Sequence, residues 1–321
     1  MAAAMSALAW LRANRWSFSA IGILLLWLVL AITTARFSLQ SLSGVAASAA
    51  FLAVVATGQM FAVATGGGNI DLSIPSVITL SAYATMILSR GTDAGLILAL
   101  PAIAAIGIVT GTANAFLILK LRIPAIIATL AVGYVLDTAT LLTNRRFTTF
   151  AVSPALHALA VGRVFGVPII LLLATGLAAC ASLLIRRTGY GRTLMAVGQN
   201  AVAARLAGAR VARVTAAAFL LSGLLASLDG ALLSAHAGGA FLEMGRPYLL
   251  QSVGAVVVGG TPIFGGSATP LGTLSGAVFL ILIVTTMQIA GLPGGIQDMV
   301  QGGVIIAVLA AAGSGLSRRT A

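Results

Sequence analysis

Between residues 18 and 313 the sequence is a succession of long apolar stretches, and no other feature restricts the fold as strongly. They cover roughly 18–36, 45–65, 70–89, 94–119, 124–143, 167–185, 214–235, 248–262, 270–290 and 296–313. Hydrocarbon offers no water to pair with peptide N–H and C=O groups, so a chain that enters it must be helical or a closed barrel. A barrel needs segments of about ten residues alternating in polarity, and no such pattern recurs here. Runs near 20 residues suit an α-helix crossing about 30 Å of hydrocarbon. Charged residues make up 7% of the chain, against about 25% in a soluble domain. The expectation is an all-α, polytopic membrane helix bundle of about ten transmembrane helices, forming a single domain over 1–321. The eighth stretch, 248–262, is short and is expected either to cross or to re-enter.

One interruption orients the bundle. Residues 188–214 are polar and basic, and from Arg186 to Arg213 they carry six arginines and no acid. Basic loops are retained on the cytoplasmic side. With both termini cytoplasmic (1–17 and 314–321) and 186–213 as a cytoplasmic loop, twelve basic residues fall inside and six outside. The outside group includes Arg145, Arg146 and Arg163, which run against the bias. Arg12 and Arg15 before the first apolar run resemble a signal peptide. No small-residue cleavage site ends that run early, so it reads as an uncleaved first helix. The net charge of +12 is ascribed to these anchoring loops, and no nucleic-acid binding is expected.

The chain carries no recognisable catalytic constellation. Lys120 is its only lysine and G-x-x-x-x-G-K followed by Ser or Thr is absent, so it has no P-loop of its own. Cys180 is the only cysteine, which excludes an intramolecular disulfide. His157 and His236 lack metal-ligand spacing, and no metal site is expected. Asp137 is the acid most nearly inside an apolar run, where an ionised carboxylate costs about 2.5–3.5 kcal/mol. It is expected to face the bundle or a cavity, as a substrate contact or a structural hydrogen bond. Asp229 and Asp298 are placed nearer helix ends.

Small residues four apart (Gly107, Gly111 and Ala115; Ser222, Ala226 and Gly230; Gly272 and Gly276) read as close helix packing. Two glycine-rich breaks, Gly66-Gly67-Gly68-Asn69-Ile70-Asp71 and Gly259-Gly260-Thr261-Pro262-Ile263-Phe264-Gly265-Gly266, lie one in each half of the chain. Such paired breaks point to broken helices around a transport pathway, or they are ordinary loops.

Several motifs in order carry a resemblance. Gly191-Arg192-Thr193, then Ala196-Val197-Gly198-Gln199-Asn200, Ala203-Ala204 and Gly208, resemble the cytoplasmic loop of permease subunits of bacterial ABC sugar importers of the ribose, xylose and arabinose type. Gly68-Asn69-Ile70-Asp71-Leu72-Ser73 is similar to that family's G-I-D-L-S motif with Asn69 inserted. Leu221-Ser222-Gly223-Leu224-Leu225-Ala226 resembles its L-S-G-L-L-A helix, and Ala255-Val256-Val257-Val258-Gly259-Gly260-Thr261 with Gly265-Gly266 and Gly272-Thr273-Leu274-Ser275-Gly276 its glycine-rich segment. Arg122-Ile123-Pro124 and the run to Leu130 also fit. Tyr248-Leu249-Leu250-Gln251 departs from the acidic Y-E-L-D of many relatives.

The resemblance implies a permease subunit in the bacterial inner membrane, translocating a monosaccharide delivered by a periplasmic sugar-binding protein. A second permease chain, in a homodimer, and cytoplasmic ABC ATPase subunits would complete it, with ATP and Mg on the ATPase and no cofactor on this chain. Gly191, Arg192, Gly198, Asn200, Ala203, Ala204 and Gly208 would form the ATPase-coupling loop, with Ala196, Val197, Ala201 and Ala204 as its apolar face. Asn69, Asp71, Ser73, Asn114, Asp137, Gly259, Gly260, Gly265 and Gly266 are candidates for the substrate pathway. The alternatives are a related permease for branched-chain amino acids or nucleosides, and a stand-alone secondary transporter.

Overall fold

The structure is a computed structural model describing residues 17–34, 39–145 and 151–317. Residues 1–16 and 318–321 of the expected cytoplasmic termini, and Arg36 and Arg146 of the outside group, lie outside the described residues. The helices are α1 (Ser17–Thr34), α2 (Leu39–Ala64), α3 (Ile74–Ser89), α4 (Asp93–Leu119), α5 (Ala125–Asn144), α6 (Pro154–Val161), α7 (Ile169–Arg187), α8 (Gly189–Gln199), α9 (Ala201–Leu206), α10 (Val211–Ala237), α11 (Tyr248–Val258), α12 (Pro270–Ile289) and α13 (Gly294–Ser317). A two-residue hairpin, β1 (Arg163–Val164) with β2 (Val167–Pro168), joins α6 to α7. Its turn residues Phe165 and Gly166 both have positive φ, as a tight hairpin turn requires.

Among the described residues six helices, α2, α4, α5, α7, α10 and α12, are long and apolar enough to cross a membrane. Over its most apolar window α2 is 83% buried while α4, α5 and α7 are 28% buried, so α2 runs through the middle. The outer helices present Ile97, Val109, Leu142 and Leu172 outward, as lipid contact requires.

The small-residue stripes are where helices touch. A Cβ added at Gly107 would lie 2.6 Å from the Gly223 carbonyl oxygen, and one at Gly111 2.6 Å from that of Phe219. At Gly276 it would lie 2.2 Å from the Ala255 carbonyl oxygen, and at Gly230 2.3 Å from that of Ile78. These pairs let α4 meet α10, α12 meet α11, and α10 meet α3 at backbone contact. In lipid, where burial from water supplies no attraction between helices, such packing holds a bundle together.

The helices of the third and eighth apolar stretches, α3 and α11, are too short to cross alone. The chain is unwound over 65–73, so the helix of the third apolar stretch, 70–89, starts only at Ile74. Gly66, Gly67 and Gly68 have φ of 74°, 66° and 77°, a run of left-handed residues that only glycine adopts cheaply. The helix of the eighth stretch spans 11 residues, Tyr248–Val258, about 17 Å at 1.5 Å per residue. The segment before it, 238–247, folds back into the bundle: the Gly245 amide donates to Thr79 Oγ1 at 3.1 Å. A Cβ on Gly245 would lie 2.1 Å from the Pro75 carbonyl oxygen. The N-terminal ends of α3 and α11 therefore meet inside the bundle.

Candidate functional site

The basic segment folds as two short helices at one end of the bundle. Thr188 caps α8 by accepting from the Gly191 amide at 3.2 Å. Gly191 fits there because a Cβ would lie 2.1 Å from the Ile185 carbonyl oxygen. Asn200 caps α9: its Oδ1 accepts from the amides of Val202 (3.0 Å) and Ala203 (2.9 Å). Gly208, with φ of 85° and open space around it, ends α9 in a left-handed turn.

The face this pair turns outward differs from the sequence expectation. Val197 and Ala204 are buried against the chain's own core together with Leu194. The bundle's own apolar surface competes for them, which a short motif read alone cannot reveal. The outward face instead carries Arg192, Ala196, Ala201, Val202, Arg205 and Leu206. Leu206 is 86% and Val202 69% exposed, and sequence reasoning had not marked either.

The C-terminal end of α8 is seated on both glycine-rich breaks. The Gly266 amide donates to the Ala64 carbonyl at 3.1 Å, and Gln199 Nε2 donates to the Gly266 carbonyl at 3.2 Å. A Cβ on Gly198 would stand 2.0 Å from the Ala64 oxygen and 2.3 Å from the Gly266 nitrogen. One on Gly265 would meet the Gly66 Cα at 2.3 Å, and one on Gly66 the Gly198 carbonyl oxygen at 2.7 Å. Residues from three distant motifs thus form one backbone junction. Gly259 lies against Gly272 at the crossing of α11 and α12, and Gly260, with φ of 92°, follows it in a turn where its amide donates to the Val257 carbonyl at 2.9 Å.

From the junction, the 65–73 break leads to a buried polar knot. Asp71 Oδ1 accepts from the Ser73 amide (3.1 Å), Ser73 Oγ (2.6 Å) and Asn114 Nδ2 (3.3 Å), and Oδ2 accepts from Ser222 Oγ (2.7 Å). Asn114 Nδ2 also donates to Ser73 Oγ at 2.9 Å. Gln59, its amide oriented so that both atoms are paired, donates to the Asp71 carbonyl (3.1 Å) and accepts from the Asp71 amide (3.3 Å). The Leu72 amide donates to Thr129 Oγ1 at 3.0 Å. The unwound stretch is thereby tied to α2, α4, α5 and α10. Asn69 closes the preceding turn by donating to Thr65 Oγ1 at 2.9 Å.

Asp71, Ser73 and Asn114 were marked from sequence and come together. Ser222 had been read only as a small packing residue, and Gln59 had not been noticed. A glutamine within the apolar run of the most buried helix, five residues before its end, is the signal that was available.

Asp137 stands apart from this knot. It is exposed on α5 and lines a cavity of about 480 Å³ between α3, α5 and the 242–249 segment. Asp229 corrects the sequence reading: it lies within α10, eight residues before its end and fully buried. Neither of its carboxylate oxygens has a hydrogen-bond partner among the described residues. Outside the helices Arg246 Nη1 donates to Glu243 Oε2 at 2.8 Å. That bond, with the charges of Glu243 and Asp298, pushes the guanidinium further up from its ordinary value.

The chain matches the family described as "Branched-chain amino acid transport system / permease component" over residues 41–309. It is 34% identical over 298 residues to the Autoinducer 2 import system permease protein LsrC of Klebsiella pneumoniae subsp. pneumoniae, covering 92% of this chain and 86% of that protein. To the Ribose import permease protein RbsC of Haemophilus influenzae it is 30% identical over 294 residues, covering 90% of each. No solved structure matches it. A match over most of the chain, with apolar helices long enough to span a bilayer, makes this chain a member of that family of transport permease components, a multi-pass protein of the bacterial inner membrane.

Proposed function

We propose that the chain is the permease subunit of an ATP-driven ABC importer, moving a monosaccharide across the inner membrane. About ten crossings, with both termini and the 186–213 segment cytoplasmic, complete the reading. Two copies of the chain enclose the pathway, and a periplasmic binding protein delivers the sugar to their outer face. Separate ATPase subunits carry the ATP and Mg²⁺. The relatives' names speak of ribose and autoinducer 2 import, and they favour a sugar-like cargo over a branched-chain amino acid.

One observation carries the reading: the end of α8 is packed through Gly198 onto both broken segments of the bundle. A rigid push on α8 from the cytoplasm would be felt by residues 65–73 and 259–269 together. Those segments adjoin the two half-helices, α3 and α11, whose N-terminal ends meet in the bundle. The outward Leu206 and Val202 offer apolar anchors, and Arg192 and Arg205 offer charge, to an ATPase groove. A tagged chain extracted gently from native membranes should bring down a P-loop ATPase, and alanine at Val202 and Leu206 together should lose it. Recovery of the chain alone, with ion-driven uptake intact in vesicles, would point to the stand-alone transporter instead.

A further inference from the structure

The geometry points to a sugar-binding vestibule in the 480 Å³ cavity, with Asp137 and Tyr134 of α5 as its principal ligand contacts. This rests on the proposed function and adds where the cargo sits and which class of cargo fits.

The first ground is the placement of charge. Asp137 is an exposed acid within Ala125–Asn144, a helix suited to span the bilayer. A carboxylate cannot face acyl chains there without a cost of several kcal/mol, so its helix face must be turned to water or to protein. The same face carries Leu130, Gly133, Tyr134, Thr140 and Leu141, and all of them line the cavity. They recur at three and four residue steps, so the cavity wall is one complete stripe of α5. Val135, 69% exposed on another face of the helix, lines nothing there.

The second ground is the opposite wall. It is formed by the first turns of α3 (Pro75, Ser76, Thr79) and by Glu243 and Arg246 just before α11. The cavity therefore sits where the two half-helices begin, and a shift of either one changes its shape.

The lining chemistry selects the ligand. Its volume lies in the range of small-molecule sites. Asp137 and Glu243 accept hydrogen bonds and Arg246 donates them. Tyr134, 69% exposed, offers an aromatic face to the C–H surface of a sugar ring. Two carboxylates against one guanidinium disfavour a phosphorylated or carboxylated cargo. The fit is to a neutral polyhydroxylated ring.

Cysteine labelling tests the vestibule in the full chain, assembled in membrane fragments open on both sides. Cys180→Ser removes the native thiol. In that background Asp137→Cys and Leu141→Cys, the latter at a cavity-lining position 51% exposed, should react with a charged, water-soluble maleimide roughly tenfold or more faster than Val135→Cys, because only a hydrated thiol ionises readily. Equal rates at all three positions would overturn the vestibule.

Uptake of labelled ribose and a panel of other neutral pentoses and hexoses, with the cognate ATPase and binding protein, tests the contacts. With the loaded binding protein saturating, Asp137→Asn and Tyr134→Ala should each lower the maximal uptake rate by about tenfold, with ATP hydrolysis retained and Asp137→Glu partly restoring uptake. Unchanged uptake in both variants would overturn the ligand contacts and leave the proposed function standing. Fast labelling combined with no uptake of any sugar by the unmodified chain would instead overturn the proposed cargo, and the sugar assignment with it.

Discussion

Gly198→Ala adds one methyl group at the point where three motifs meet. Its Cβ would lie 2.0 Å from the Ala64 carbonyl oxygen and 2.3 Å from the Gly266 nitrogen, and those two atoms are joined to each other by a hydrogen bond of 3.1 Å. Reaching even 3.0 Å requires a retreat of 1.0 Å from the first and 0.7 Å from the second. Both obstacles are backbone, so no rotamer change relieves them. Overpacking of this kind costs about 1–3 kcal/mol, and prising apart a buried hydrogen bond adds about 1–3 kcal/mol. The bundle has other contacts to survive on, but the junction between α8 and the two breaks does not. The variant should reach the membrane at the normal level. In proteoliposomes with its ATPase and binding protein it should lose about tenfold or more of its uptake rate while ATP hydrolysis continues. Gly189→Ala is the control, since its Cβ meets nothing within 4 Å in the same helix, and it should transport normally. Normal uptake by Gly198→Ala would refute the idea that this junction carries motion into the bundle.

Asp71→Ala strips the acceptor from Ser73, Asn114 and Ser222 and should destabilise the detergent-purified chain by about 1–3 kcal/mol, the cost of leaving buried donors unpaired. Adding Ser222→Ala should cost little more in a thermal unfolding series, and an additive loss would show that the two residues are not coupled. Asp229→Leu removes a buried carboxyl with neither oxygen paired, so the melting temperature should hold or rise. A fall of several degrees would mean that a partner had been lost. Gly107→Val drives a side chain into the Gly223 backbone and Ser227 and should lower stability by about 1–3 kcal/mol or more, read as lost monodisperse protein on size exclusion.

Much of the bundle could be read from residue types alone. Apolar runs locate helices because the bilayer leaves the backbone few choices, and Gly107, Gly111 and Gly276 announced close approach because nothing larger fits. The junction of Gly66, Gly198 and Gly265 was legible only as three separate glycine motifs. Their meeting is a property of three dimensions that spacing along the chain does not encode. Asp229 was placed near a helix end from a hydropathy estimate that closed the stretch at 235, whereas α10 runs two residues further, to Ala237, and leaves the acid more than two turns inside it. Ser222 was read through its size, whereas its hydroxyl is what Asp71 uses. The inward turn of Val197 had the same origin: an apolar residue in a basic segment does not say which of two apolar surfaces it will join.

The knot around Asp71 also constrains how the protein is made. Asp71 enters the membrane region in an unwound stretch followed by only 16 helical residues, a segment poorly suited to partition into lipid unaided. Asn114 follows 43 residues later and Ser222 151 residues later. At synthesis rates of about 5–20 residues per second, the acid waits roughly 8–30 seconds for its last partner. Through that interval it is kept by water, by lipid headgroups or by the insertion machinery. Asn114 can reach the acid earlier, but the knot closes only when α10 arrives, so its completion is a late step in the making of the protein.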